Sequence, residues 1–205
     1  SERDSRMRVA RYCTTAFLLL AATAPGHGRS LTGAQAQRLV AAAVAQTSAS
    51  VRYDGTYRRI NYPGGDVPET LGVCTDVIVR AYRTLGIDLQ VEVHEDMKRA
   101  FDSYPRLWGL EAPDPSIDHR RVPNLQTFFR RAGAELPISD KGNAYRAGDV
   151  VTWKLAGHLP HIGIVTGQTS RAGVPLVVHN IGRGPEVEDV LFAHPITGHY
   201  RYGAK

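Results

Sequence analysis

Gly148-Asp149-Val150-Val151-Thr152-Trp153-Lys154-Leu155, then His161-Ile162-Gly163-Ile164-Val165-Thr166-Gly167, then Pro175-Leu176-Val177-Val178-His179-Asn180-Ile181-Gly182: these three runs decide the fold. Each is short, rich in β-branched residues and bounded by Gly or Pro, which predicts three strands. Val187 to Phe192 and Ile196 to Tyr202 predict a fourth and a fifth. Such close spacing suggests an antiparallel meander. Upstream the period changes. Within Gly33 to Ser50, Leu39, Val40, Ala43 and Val44 recur at helical spacing in an Ala-rich segment. Cys74 opens a second helix, whose apolar face is Val77, Ile78, Ala81, Tyr82 and Leu85 and whose stop is Gly86. His94 to Phe101 and Pro123 to Ala132 predict two shorter helices, the last with Pro at a tolerated first-turn position. The turn-rich stretch Asn61-Tyr62-Pro63-Gly64-Gly65-Asp66-Val67-Pro68 puts 51–73 in a loop, and 102–122 reads as a long ordered loop. Helices first and strands after make an α+β protein, with N-terminal helices packed on a C-terminal antiparallel sheet.

Composition bounds the rest. The 205 residues are 42% hydrophobic and 22% charged, enough for one globular domain with a real core. The net charge is +5, and the basic residues are scattered, so no nucleic-acid arm is expected. Met7-Arg8-Val9-Ala10-Arg11 is a short positive segment leading into the apolar run Tyr12 to Ala24, which ends in Ala22-Thr23-Ala24. That is the layout of a secretory signal, and the run is short for a membrane span. Residues 1–24 are therefore expected to be a signal peptide with an upstream extension, the other reading being an uncleaved anchor. Residues 25–50 follow as a linker and first helix, and 51–205 as the domain. After signal cleavage no stable membrane span is expected.

Cleavage lowers the net charge to +3 and removes Cys13, leaving Cys74 as the one cysteine. One cysteine makes no internal disulfide, and a lone thiol in an oxidising compartment is exposed to oxidation, so its presence calls for a reason. The chain has no P-loop, no His-Glu-x-x-His and no Gly-x-Ser-x-Gly. The chemistry-bearing set is Cys74 with His161 and His179. A helix N-terminus and a neighbouring imidazole favour a thiolate. Two antiparallel strands bring the two imidazoles side by side, one as base and the other as its orienter. Two alternatives stay open. A cysteine at a helix start also serves as a small buried hydrophobe. Cys74, His161, His179 and His158 also make a zinc-type donor set, although His158-Leu159-Pro160-His161 lacks a familiar zinc spacing.

These residues resemble the second half of the NlpC/P60 (papain-like) cysteine peptidases. There, a Gly-Asp strand precedes a His-x-Gly-Ile strand, a further polar residue, often His, follows, and the nucleophilic Cys lies upstream at a helix N-terminus. The resemblance implies Cys74 as nucleophile, His161 as base, His179 as orienter, and Tyr62, twelve residues before Cys74, as a hydrogen-bonding neighbour. From about residue 50 to 203 the chain also resembles the YijF-like family, exported bacterial domains of unknown function. The carrying phrases are Gly72-Val73-Cys74-Thr75-Asp76, Val93-His94-Glu95-Asp96-Met97, Ile117 to Asn124, Pro160 to Val165, His179-Asn180-Ile181-Gly182 and Thr197 to Tyr202.

The resemblance implies an exported, periplasmic or secreted, cysteine hydrolase. It would act on cell-wall peptide or another small peptide or amide, without metal or cofactor. An acyltransferase using the same thiol, and a non-catalytic envelope module binding peptide or glycan, stand as alternatives. Where NlpC/P60 enzymes read Asp-Cys-Ser-Gly, this chain reads Val73-Cys74-Thr75-Asp76, which puts a carboxylate beside the site. The long stretch before Gly148 suggests a cap insertion at about 88–140. Asp76, Arg120 and Asn180 are the expected substrate-binding residues, with Arg120 suited to grip a carboxylate in a fork. His94, Asp96, Asp118, Arg120 and Asn124 also suit a loop tied down by its own ion pairs.

Overall fold

The computed structural model describes residues 30–203, so the expected signal peptide and the start of the linker lie outside the described residues. Helix α1 spans Gly33–Ala45. Thr32 starts it with a reciprocal cap: its hydroxyl accepts from the Gln35 backbone N–H at 3.2 Å, and the Gln35 side chain accepts from Thr32 N–H at 2.9 Å. The regular helix ends five residues before the sequence reading placed it, because Thr47, Ser48 and Ser50 favour turns over helix, and a short 3-10 turn, Gln46–Ser48, follows. The segment read as a loop holds two minimal strands, β1 (Arg52–Tyr53) and β2 (Leu71–Gly72), paired in parallel. Helix α2 is Cys74–Arg83 and α3 is Leu89–Ala100. The latter begins five residues earlier than periodicity indicated, because the Asp88 carboxylate caps it by accepting from Gln90 N–H at 3.1 Å. Helix α4 is Val122–Arg131.

Strands β3 (Val150–Lys154), β4 (Pro160–Thr169), β5 (Pro175–Asn180), β6 (Pro185–Glu188) and β7 (Ile196–Tyr200) form one antiparallel sheet in the order β6-β5-β4-β3-β7. Strands β3 to β6 are the expected meander, and β7 returns to the far edge beside β3. The fourth strand lies two residues ahead of its expected start and ends at Glu188 rather than Phe192. Asn180 explains the shift: its side-chain oxygen accepts from Gly182 and Gly184 N–H at 3.0 and 3.2 Å, which folds the hairpin tightly and restarts pairing at Pro185.

Alternation along the strands divides the core. Val150, Ile162, Ile164 and Val178 face the helices, where they join Leu39, Ile78 and Phe129. Val151, Trp153, Val165 and Val177 face the other way and pack with Tyr145 and Leu191. Helices α3 and α4 supply Leu89, Val93, Met97 and Leu125 to the first cluster, all fully buried. The stretch at about 88–140 thus adds helix faces to the core, and its residues between 108 and 123 line the cleft. Asp149 fastens the sheet's edge: it accepts from His199 Nε2 at 2.7 Å and from Arg201 Nε and Nη2 at 2.7 and 2.8 Å. Burial pushes this carboxyl up, but these donors outweigh it and hold it low.

Candidate active site

Cys74 is the first residue of α2 and is 5% exposed. The helix starts here because the Asp76 carboxylate reaches back three residues and accepts from Val73 N–H at 2.7 Å. The Tyr53 hydroxyl and the backbone N–H groups of Thr75 and, from strand β4, Ile162 lie near its thiol. His161 is the neighbour of Ile162 on that strand. Burial, and then the Asp76 charge, push the Cys74 thiol up to about 11, although its hydrogen bonds pull the other way.

The two histidines are joined. His161 Nε2 lies 2.8 Å from His179 Nδ1, with ring centroids 5.1 Å apart in an edge-to-face arrangement. Gly163 makes room for this: it pairs with His179 across β4 and β5, and a Cβ there would lie 2.6 Å from Val177 Cγ1 and 3.1 Å from His179 Cβ. His179 Nε2 in turn is 2.9 Å from Glu188 Oε2 on β6, a close approach of a neutral imidazole to a carboxylate whose angle falls short of a hydrogen bond. The relay is thus His161, His179, Glu188. His161 is further fixed by Trp153, its cross-strand partner, whose ring centroid is 5.9 Å away. Burial, then the neighbouring His179 and His194, bring His161 down to about 3. Burial also lowers His179, against an opposing pull from Glu188. Both imidazoles are held neutral, and so is the thiol.

The other expected site residues have different partners. Tyr62 is not brought to the thiol: its hydroxyl donates to Glu95 Oε1 at 2.7 Å and its ring stands edge-on to His94 at 5.1 Å. The hydroxyl beside Cys74 belongs to Tyr53. Asp76 and Arg120 hold each other: Arg120 Nε and Nη2 donate to the two carboxylate oxygens, each at 2.9 Å, in a pair almost wholly shielded from water. Asn180 Oδ1 is held by its glycine turn, while its Nδ2 is buried without a hydrogen-bond partner. His94 bonds Asp118 at 2.8 Å and Asp96 bonds Arg131 and Tyr104 at 2.6 and 2.7 Å, so much of this segment is tied by its own pairs. His158 sits in a 3-10 turn at positive φ, and among the described residues no three His, Cys, Asp or Glu side chains are placed to hold a metal ion.

Two residues escaped the sequence reading. Tyr53 lies in a two-residue strand with no periodicity to show it. Glu188 was visible only if the hairpin register placed it opposite Val177, close to His179. A cleft of about 190 Å³ opens over Cys74, walled by Tyr53, Trp108, Arg120, Arg121 and Pro160. A helix-start thiol under an open cleft, with paired histidines on the strand whose Ile162 lies near it, has the parts for attack on an acyl carbon.

Residues 40–202 match the family described as Domain of unknown function (DUF1287). The chain is 51% identical over 160 residues to the uncharacterized protein YijF of Escherichia coli (strain K12), covering 78% of each. Among solved structures it is similar to NlpC1 of Trichomonas vaginalis (15% identity, TM-score 0.47, 86% of this chain and 48% of that one). It is also similar to an NLP/P60-family lipoprotein-like protein of Staphylococcus aureus (14% identity, TM-score 0.45, 89% of this chain and 46% of that one). This chain spans about half the length of those solved chains.

Proposed function

We propose that this chain, which belongs to the DUF1287 family of domains of unknown function, is an exported cysteine hydrolase, an amidase or endopeptidase, acting on cell-wall peptides. The observation that carries the reading is the pairing of two buried imidazoles, His161 and His179, on the sheet, with Ile162, the residue after His161, near the helix-start thiol of Cys74. Export rests on the apolar segment Tyr12 to Ala24, and the cell-wall substrate on the NlpC/P60 resemblance of the triad half.

The chemistry follows from the atoms. His161 Nε2 is engaged by His179, so Nδ1 is the nitrogen that takes a proton. Cys74 Sγ attacks the amide carbon as its proton passes to His161. The tetrahedral oxyanion is met by backbone N–H groups at the start of α2. His161 then protonates the leaving amine, the C–N bond breaks, and an acyl-thioester remains. Water, deprotonated by the same imidazole, attacks the thioester, releasing a carboxylic acid and restoring the thiol.

A thiol held up near 11 favours a second reading, a binding module on the same scaffold that does no chemistry. Digestion of purified peptidoglycan with the mature protein, beside Cys74→Ala, separates the two. New fragments by mass spectrometry that vanish in the variant support the hydrolase. Retention of the protein on peptidoglycan without fragments supports the binding module.

A further inference from the structure

The outer end of the histidine pair is closed to water. His179 Nε2 is buried and has no hydrogen-bond partner among the described residues; what faces it is Glu188 Oε2, at 2.9 Å and off the line of a hydrogen bond. A neutral imidazole carries one hydrogen, on either nitrogen, whereas a carboxylate only accepts. Two arrangements of the pair follow. In the first, the His179 hydrogen is on Nε2 and faces the carboxylate. His179 Nδ1 then accepts from His161 Nε2–H at 2.8 Å, and His161 Nδ1 keeps its lone pair. In the second, each ring carries its hydrogen on Nδ1. The His179 Nε2 lone pair then points at the carboxylate oxygen, and His161 Nδ1 has no lone pair with which to take a proton. Inside a protein such a repulsion is weakly screened, and the angle that spoils the hydrogen bond reduces the attraction without reversing it.

Glu188 is itself aimed. Arg183 Nη2 donates to Glu188 Oε1 at 3.2 Å and to Glu186 Oε2 at 2.8 Å, which leaves Oε2 of Glu188 for the imidazole. The same guanidinium keeps the carboxylates from drawing a second proton onto His179: burial lowers His179, Glu188 and Glu186 pull it up, and Arg183 opposes them. A doubly protonated His179 would donate from Nδ1 as well, and His161 Nε2 would then have to accept. We infer that Glu188 is a positioning residue: through His179 it fixes both imidazoles with their hydrogens on Nε2, and so leaves His161 Nδ1 as the bare nitrogen that takes the proton. The inference rests on the hydrolase reading for the use of that nitrogen, but the placement of the hydrogens stands without it.

The test uses the full chain labelled with nitrogen-15. Long-range proton–nitrogen NMR tells a protonated ring nitrogen from a bare one, and His161→Gln and His179→Gln assign the signals. Near neutral pH the parent is expected to show both rings with the hydrogen on Nε2 and Nδ1 bare. Either ring with its hydrogen on Nδ1 overturns the inference. Glu188→Gln presents either an acceptor or a donor to His179 Nε2, so it is expected to admit the second arrangement and to move the two nitrogen signals of each ring toward one another. Ring signals identical to the parent's overturn the inference as well. Backbone amide spectra check that the variant is folded, and where it is not, the parent's spectrum alone decides. The same preparations are then given peptidoglycan. Glu188→Gln is expected to release fragments about 10–100-fold more slowly with retention unchanged, the usual scale for losing a partner that orients a functional imidazole. An unchanged rate beside altered ring signals sinks the positioning role and leaves the hydrolase. The expected ring signals without any Cys74-dependent fragments sink the hydrolase and leave the placement of the hydrogens.

Discussion

Asp76→Asn isolates the charge that organises the site. Asp76 has three tasks: it accepts from Val73 N–H, it forms a two-point pair with Arg120, and its charge helps push the Cys74 thiol up. Asparagine keeps an acceptor oxygen for Val73 and removes the charge. Arg120 is then left as a buried cation, its side chain 2% exposed, with Nη2 reaching only the Asp54 carbonyl oxygen at 3.4 Å. Breaking a buried pair by removing one partner costs about 3–5 kcal/mol, because the survivor stays desolvated. At about 2–4 °C per kcal/mol for a chain of this length, the melting temperature is expected to fall by roughly 6–20 °C. Urea denaturation followed by circular dichroism gives the free energy directly. The double variant Asp76→Asn/Arg120→Met removes the orphaned charge as well and is expected to recover most of the loss, so the cycle reads the coupling. The thiol reports independently: without Asp76, Cys74 is expected to titrate lower, and its alkylation at neutral pH to speed up. A stability loss under about 1 kcal/mol, the scale of an exposed pair, refutes the picture of a buried pair beneath the cleft.

Four further outcomes follow from the same geometry. With its thiol near 11, Cys74 is expected to react with iodoacetamide at pH 8 about two hundred times more slowly than an unperturbed thiol, from the thiolate fractions alone; a midpoint below 8 by peptide mass spectrometry sinks this. His161 and His119 are both held near 3 by burial, so the folded state binds fewer protons than the unfolded chain below the ordinary histidine value. Stability is therefore expected to fall as pH drops from about 6.5 toward 4.5, before ordinary carboxylates titrate, and a flat stability curve there contradicts it. Gly163→Ala drives a Cβ to 2.6 Å from Val177 Cγ1 and 3.0 Å from the Val178 carbonyl oxygen. It is expected to destabilise the domain by about 1–3 kcal/mol in urea and to shift the histidine ring signals in NMR; a neutral variant denies the close packing. Tyr53→Phe is expected to lower peptidoglycan cleavage at least tenfold and Tyr62→Phe less than threefold, the usual scale for a contact to the reacting group against a remote one; equal losses undo the assignment of Tyr53.

The sheet was legible because its strands carry their own punctuation. Gly148, Pro160, Pro175 and Gly182 bracket runs that alternate or are apolar throughout, and the pairing of His161 with His179 follows from two adjacent antiparallel strands once the hairpin is granted. The cysteine's place was legible because the apolar face Val77, Ile78, Ala81, Tyr82 and Leu85 runs back to it and Gly86 ends the helix; the cap from Asp76, two residues after Cys74, was not read. What stayed hidden depends on long-range placement. Tyr53 reaches the thiol only because Arg52 and Tyr53 pair with Leu71 and Gly72, a two-residue ladder too short to leave a pattern. Arg120 was readable as a carboxylate fork, but its fork closes on Asp76, 44 residues earlier, and no local rule links the two. The layer that the expected cap serves stayed hidden for a similar reason: Leu89, Val93, Met97 and Leu125 are spaced as helix faces, and which layer they cover is decided by packing.

The resting site carries little charge where the reaction would happen. Thiol and imidazole are both buried and neutral, and Asp76 cancels Arg120, so Arg121 and the start of α4 are the positive features left over. A thiolate–imidazolium pair is therefore not stored in the free protein, unlike cysteines activated by a standing cation. Under the proposed hydrolase reading, proton transfer from Cys74 to His161 accompanies attack on the carbonyl, when the negative charge leaves sulfur for an oxygen facing the helix start. On that account the His179–Glu188 relay acts by stabilising imidazolium as it forms. Its contribution should appear in the chemical step more than in binding. The parts are also separated in space: the paired histidines lie on the sheet, and Cys74 opens α2 with Ile162 of β4 on one side of its thiol and Tyr53 also near it.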